Sequence, residues 1–287
     1  MSFSRTWKGW ILSWDRNDFH TFLYDPWTRE EIGLPRFTHD LPRVFDCALS
    51  DKPTNPGCIV VILHPDEPYF WYCRIGGVSE WIKYDYDVGM DPADPKGLTW
   101  KNSVLHTLRS CNGRFYFPIA SVKHGIIEFK PNPVIRIVTM HGFRVTMRGM
   151  PRGFRARSCD FELDGEPYKF YVFYEGKLNI TSIALYKVDL VQQRFVEVDR
   201  IGDQALLWSS WYGGGCCPAT KFELESNCVY WIWRDDGSMH IFNIAEGTHR
   251  VCYQPSQDLP KLSSEAFWLL PSNQTVQTRN VSIFKSV

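Results

Sequence analysis

Between Asn227 and Gln254 the chain reads NCVYWIWRDDGSMHIFNIAEGTHRVCYQ, three short apolar and aromatic runs separated by tight polar breaks. Runs of roughly five residues rich in Val, Tyr, Trp and Ile, bounded by Asp-Gly or Glu-Gly, signal strands and hairpins and are too short for helices. The stretch therefore predicts strand, turn, strand, turn, strand.

The same phrase recurs in order and spacing. Near the start, Gly9-Trp10-Ile11-Leu12-Ser13-Trp14 is followed by a polar break, then Phe19 to Tyr24, then Asp25-Pro26, then Glu31 to Leu34. Three more copies lie between: Gly57 to His64, Tyr69 to Ile75 and Trp81 to Tyr86; Gly113 to Pro118, Gly125 to Phe129 and Val134 to Thr139; Lys169 to Tyr174, Ser182 to Leu190 and Arg194 to Asp199. A period of roughly fifty to sixty residues belongs to propellers or solenoids, and no copy carries the 3.6-residue pattern that a helical solenoid needs.

Each later copy is preceded by a further apolar stretch: Val44 to Ser50, Val104 to Ser110, Ser158 to Leu163, and Ala219 to Leu224. Four strands per copy make the blade of a β-propeller, whose stacked blades bury both faces of their middle strands and so explain the continuously apolar runs. The expected fold is all-β, a single propeller domain of five four-stranded blades over residues 1–271, with a polar tail at 272–287. The first copy has no obvious leading strand. Ala266-Phe267-Trp268-Leu269-Leu270 is expected to supply it and close the ring.

Composition narrows the partners. Lys and Arg total 32, as do Asp and Glu, so the 287-residue chain is neutral and no overall field favours nucleic acid or an anionic membrane. The twelve Trp demand a stacked β core or an aromatic binding surface. Nine Cys without CxxC spacing read as reduced, buried small hydrophobes. With no apolar leader segment at Met1 to Lys8 and no long apolar span, the expected compartment is cytoplasmic or nuclear. The triplets at Asn179, Asn273 and Asn280 would matter only in a secreted protein.

Several pieces, in order, resemble the plant F-box-associated, kelch-like β-propellers grouped as domain of unknown function 295. They are Gly9-Trp10-Ile11-Leu12 leading to Phe22-Leu23-Tyr24-Asp25-Pro26-Trp27-Thr28 and Leu34-Pro35; Ile183-Ala184-Leu185-Tyr186-Lys187-Val188-Asp189 with Phe195-Val196-Glu197-Val198; and Ala205-Leu206-Leu207-Trp208 through Asn227-Cys228-Val229-Tyr230-Trp231 to Trp268-Leu269-Leu270-Pro271. The resemblance implies a propeller that holds substrates for a ubiquitin ligase. In that family an F-box, which docks on a Skp-type adaptor, precedes the propeller. Met1 to Arg5 leaves no room for one, so the expectation is a fragment or a partner-sequestering version that does not engage the adaptor by itself.

No nucleophile elbow, zinc-protease motif, phosphate loop or dinucleotide fingerprint occurs, and neither a cofactor nor a metal is expected. Cys216-Cys217 with Cys228, Cys252 and His240 fits no ligand spacing, since adjacent residues of a strand point to opposite faces. An alternative class is a propeller glycosidase or glycan-binding protein. Asp46, Asp160 and Glu223 fall on expected innermost strands, and paired carboxylates about 5 to 9.5 Å apart could hydrolyse a glycosidic bond.

The main expectation is a non-catalytic protein-interaction surface on the long links between blades. The segment Phe143 to Arg157 carries Arg144, Arg148, Arg152, Arg155 and Arg157, whose guanidinium forks suit phosphate or carboxylate. The segment Trp208 to Cys217 adds Trp208, Trp211 and Tyr212 beside three Gly, as candidate interface anchors or as packing between blades.

Overall fold

The computed structural model describes residues 2–6, 9–40, 45–77, 80–89, 104–105, 107–119, 122–142, 154–175, 179–209, 213–232 and 238–253. The chain divides into two compact units, Met1–His141 and Gly142–Val287.

The first unit holds three blades. Blade one is β1 (Ser2–Arg5), β2 (Ile11–Trp14), β3 (Thr21–Tyr24) and β4 (Glu31–Gly33); blade two is β5 (Asp46–Leu49), β6 (Ile59–Leu63), β7 (Tyr69–Arg74) and β8 (Ile82–Asp85). Blade three is β9 (Arg109–Cys111), β10 (Arg114–Pro118), β11 (Lys123–Phe129) and β12 (Pro133–Thr139). All pairings are antiparallel between consecutive strands. The first strands are neighbours, β1 against β5 and β5 against β9. Middle strands bury both faces, as β6 shows along its whole length.

The second unit holds two sheets. Blade four, β13 (Phe154–Leu163), β14 (Glu166–Glu175), β15 (Asn179–Asp189) and β16 (Arg194–Val198), repeats the antiparallel order with much longer strands. The last sheet is β17 (Gln204–Ser209), β18 (Gly213–Pro218), β19 (Cys228–Ile232), β20 (Met239–Asn243) and β21 (Thr248–Tyr253), in the order β18-β17-β19-β20-β21. The fold is a five-bladed β-propeller with essentially no helix, as the repeats predict.

Two expectations need correction. The place beside β2 reserved for Ala266-Phe267-Trp268-Leu269-Leu270 is taken by β1, with Phe3 opposite Ser13 and Ser4 opposite Leu12. Ser2–Arg5 has little hydrophobic signal, so apolar patterning passed over it. Its Ser4 Oγ donates to the Phe45 carbonyl at 3.1 Å, tying blade one to blade two. Residues 266–270 and the expected tail at 272–287 lie outside the described residues.

The second correction concerns the last sheet. Trp208 to Pro218 was expected as a link and Ala219 to Leu224 as a first strand. Instead β17 and β18 form a hairpin through the Gly-rich run, Thr220–Phe222 is a 3-10 turn, and β17 pairs parallel with β19, Leu207 opposite Tyr230. The apolar Ala205-Leu206-Leu207-Trp208 suits a strand covered on both faces, whereas the polar Lys221-Phe222-Glu223-Leu224-Glu225-Ser226 does not.

Blades one and two are stapled by their link. Phe37 is fully buried, its ring edge-on to Trp14, Trp71 and Trp81 at 6.2, 5.1 and 5.3 Å between centroids. Trp14 Nε1 donates to the Phe37 carbonyl at 3.1 Å and Trp81 Nε1 to the Pro35 carbonyl at 2.8 Å. The Trp14 and Trp81 indoles thus anchor the link and satisfy their own donors.

A turn also repeats between the last two strands of blades one, four and five. Asp25 Oδ1 accepts the N–H of Trp27, Asp189 Oδ1 that of Gln192, and Asn243 Oδ1 that of Glu246. Four residues beyond each, Arg29, Gln193 and Gly247 take left-handed backbone with φ of 62°, 53° and 65°. A short side-chain acceptor followed by a reversal is the common signal.

Candidate functional site

Charge is spread unevenly over the blades. Residues 109–141, which contain blade three, carry five Lys or Arg against the single acidic Glu128, a net of +4. The corresponding nets are −1 for 2–33 (four basic, five acidic), −3 for 46–85 (three, six), −1 for 154–198 (six, seven) and −2 for 204–253 (three, five). The neutral total conceals one strongly basic blade.

Strand register places three of these cations around one carboxylate. Arg114 Nε lies 2.9 Å from Glu128 Oε1, and Lys130 Nζ lies 2.6 Å from Oε2. Arg136 sits on β12 opposite Ile126, diagonal to Glu128. The Lys130 hydrogen bond, with the charges of Arg114 and Arg136, holds the Glu128 carboxyl below the usual carboxylate range. One anion among three cations leaves a surplus of positive charge on the surface. Beyond Arg136 the sequence adds Arg144, Arg148, Arg152, Arg155 and Arg157, so residues 109–157 hold ten basic residues and one acidic.

Of the expected partner residues, Arg144, Arg148, Arg152, Trp211 and Tyr212 lie outside the described residues. Arg155 and Arg157 are not in a link: both are on β13, opposite Tyr174 and Val172, and Arg157 is exposed. Of the two readings of Trp208, interface anchor or packing, the structure gives packing. Trp208 is 4 % exposed on β17 and packs edge-on against Phe170 at 5.9 Å.

The three carboxylates have different surroundings. Asp46 is half-buried at the start of β5, where it accepts the N–H groups of Leu108 and Cys47; burial pushes its carboxyl up, and Arg109 opposes that shift. Asp160 on β13 lies directly opposite Lys169 on β14, whose Nζ donates at 3.0 and 3.3 Å. Glu223 is not on a first strand. It is exposed and caps the 3-10 turn in left-handed backbone with φ 56°. The carboxylate set thus loses one member to topology, and Asp160 is neutralised by an ammonium group.

Pattern reading missed a second buried polar group, which depends on cross-strand register. On the last sheet Ser238 Oγ is 2.7 Å from His240 Nε2, and His240 Nδ1 is 2.9 Å from His249 Nε2. The rings of Trp231, His240 and His249 stack, with centroids 5.0 to 5.3 Å apart. Burial pushes the His249 imidazole below its ordinary value. Cys216 and Cys217, on opposite faces of β18, are both thiols, and Cys216 donates to the Glu162 carbonyl.

Fold and surface together define a β-propeller with one basic blade. Residues 1–252 match the family described as KIB1-4 beta-propeller, and the chain belongs to that family. The chain is similar to the F-box/kelch-repeat protein At1g57790 of Arabidopsis thaliana, 20 % identical over 275 residues, covering 92 % of this chain and 70 % of the relative. Among solved structures it is similar to the β-propeller domain of Cps50 (Swd1) from Myceliophteria thermophila, at 11 % identity and a TM-score of 0.45 over 92 % of this chain and 75 % of that one. It is also similar to a streptogramin B lyase, at 8 % identity and a TM-score of 0.41 over 94 % and 75 %.

Proposed function

We propose that this chain is a non-catalytic, intracellular protein-interaction propeller whose partner presents an acidic or phosphorylated segment. The carrying observation is the concentration of ten Lys or Arg against one acidic residue in 109–157 of a neutral chain. Guanidinium groups on a rigid scaffold pair bidentately with carboxylate and phosphate, and positive patches of this kind steer an anionic partner into register.

The Arabidopsis relative's name joins an F-box to kelch repeats. By that analogy the propeller here holds a protein selected for ubiquitination, or sequesters it. The test is affinity purification of the tagged chain from plant cell extract beside a variant carrying Arg148→Glu, Arg152→Glu and Arg155→Glu. The expected result is one discrete protein recovered with the native chain and lost with the variant. Equal recovery by both overturns the assignment to the arginines, and a Skp-type adaptor among the recovered proteins supports the ligase role.

A further inference from the structure

We infer that the outer edge of blade three, strand β12 (Pro133–Thr139), binds an acidic, extended peptide as an added β-strand. This deepens the proposed function and rests on it, by naming where and in what conformation the anionic partner docks.

An edge strand presents a row of unpaired N–H and C=O groups, and folded proteins blunt such edges with short strands, charges or proline. Strand β4 has three residues and is immediately followed by Leu34-Pro35; β8 has four and carries the Lys83–Asp85 ion pair; β16 has five and carries Arg194 and Glu197. Strand β21 has six and exposes Val251, but Arg250 beside it is ion-paired with Glu225. Strand β12 runs for seven residues with proline only at its first position. Val134 is 54 % and Ile137 45 % exposed, one on each face of the strand. Among the described residues β12 pairs on one side only, with β11, and large apolar side chains on both faces of such an edge favour a strand laid alongside them.

Charge selects what that strand is. Arg136 is exposed on β12, and Arg114 and Lys130 stand beside it around Glu128. A second copy of this chain pairing through the same edge would set two blades of net +4 against each other, which like-charge repulsion disfavours. An acidic segment with alternating apolar residues satisfies the backbone row, the two apolar side chains and the cations together. Single-stranded nucleic acid would answer the charge but not the unpaired amides, and blade three exposes no aromatic platform for base stacking among its described residues.

The probe is a fluorescein-labelled octapeptide alternating valine and glutamate, titrated into the full chain and followed by anisotropy. Controls are the same peptide with alternate amides N-methylated, a valine–lysine octapeptide, and a single-stranded oligouridylate. Saturable binding of the acidic peptide alone, weakened about tenfold or more by Arg136→Glu and by Ile137→Lys, is the expected result, each tenfold being about 1.4 kcal/mol. Both residues are exposed, so the variants keep the fold.

Equal affinity for the N-methylated peptide overturns strand addition. Absence of binding overturns the inference outright, as does preference for the oligouridylate. A chain dimer that Arg136→Glu dissolves replaces the peptide with a second copy. Recovery of the same extract protein by native and Arg136→Glu chains, with loss in the Arg148, Arg152 and Arg155 variant, leaves the proposed function standing while rejecting this edge.

Discussion

The seam between blades one and two and the interior of the unit beginning at Gly142 are buried with different chemistry, although the unit ending at His141 also buries Asp25 and His124. In the first, blades one and two meet through an almost wholly apolar cluster in which Phe37 wedges among three tryptophans. In the second, the interior admits an ammonium–carboxylate pair, Lys169 with Asp160, and the Ser238–His240–His249 chain. Apolar burial rewards any well-shaped neighbour, so the first arrangement tolerates variation in pairing. A buried charge or imidazole is stable only with its own partner in place, so the second arrangement specifies register.

The largest effect that would break this contrast is removal of the wedge. Phe37→Ala should cost about 3 to 5 kcal/mol, because a fully buried ring leaves a cavity between sheets that cannot collapse. Chemical denaturation with hydrogen-exchange mass spectrometry should place the loss of protection in residues 2–85. Loss confined to 154–253 would show that the wedge does not hold the first unit.

Next comes the ion pair. Lys169 is 4 % and Asp160 21 % exposed, so Asp160→Ala strands a buried ammonium and should cost about 3 kcal/mol. The double variant Asp160→Leu with Lys169→Met should recover most of that loss, since breaking a buried pair costs more than replacing it. No recovery would mean that the pair itself stabilises blade four.

A smaller effect sharpens the comparison, because the same turn occurs in both units. Asp25→Ala and Asp189→Ala each remove a side-chain acceptor from a tight turn and should each cost about 1 kcal/mol. Asp25 is fully buried whereas Asp189 is half-buried, so the first should be the larger. Equal or inverted losses in a denaturant titration would show that the unit, not the turn, sets the value.

The smallest effect is a pH dependence confined to the second unit. His249 is held below its ordinary value of 6.5 by burial, so the unfolded chain takes up a proton first as pH falls. Stability is therefore complete above about pH 6.5 and is lost as pH falls from there through the folded value. A falling Tm over that range, flattened by His249→Gln, is the expected outcome; an unchanged slope in the variant would assign the titration elsewhere.

The β-strands of blades two, three and four were readable because each depends on a short run such as Ile59–Leu63 or Tyr69–Arg74, whereas the Phe37 wedge, a lone aromatic in a polar link, was not. The Arg-rich part of the candidate surface was readable too, and its extension over blade three has a plain signal in the lone Glu128 between Arg109 and Arg157. Trp208 was legible as interface anchor or as packing between blades, and the choice falls to burial because β17, paired with β18 and β19, sits inside the sheet. Glu223 was misplaced because Ala219 to Leu224 has strand-like spacing but turns at Thr220–Phe222.

What the sequence by itself determined is the repeat: alternating turn residues and buried runs specify a strand wherever local spacing and burial agree, five times along this chain. Tertiary structure alone decided who lies opposite whom. Asp160 and Lys169, His240 and His249, Arg114 and Glu128, and the parallel pair β17 and β19 all arise from cross-strand register. So does the seating of Ser2–Arg5 beside Ile11–Trp14. Register is settled by the summed packing of whole sheets and by the cost of leaving buried charges and imidazoles without partners, quantities that no single stretch of chain contains.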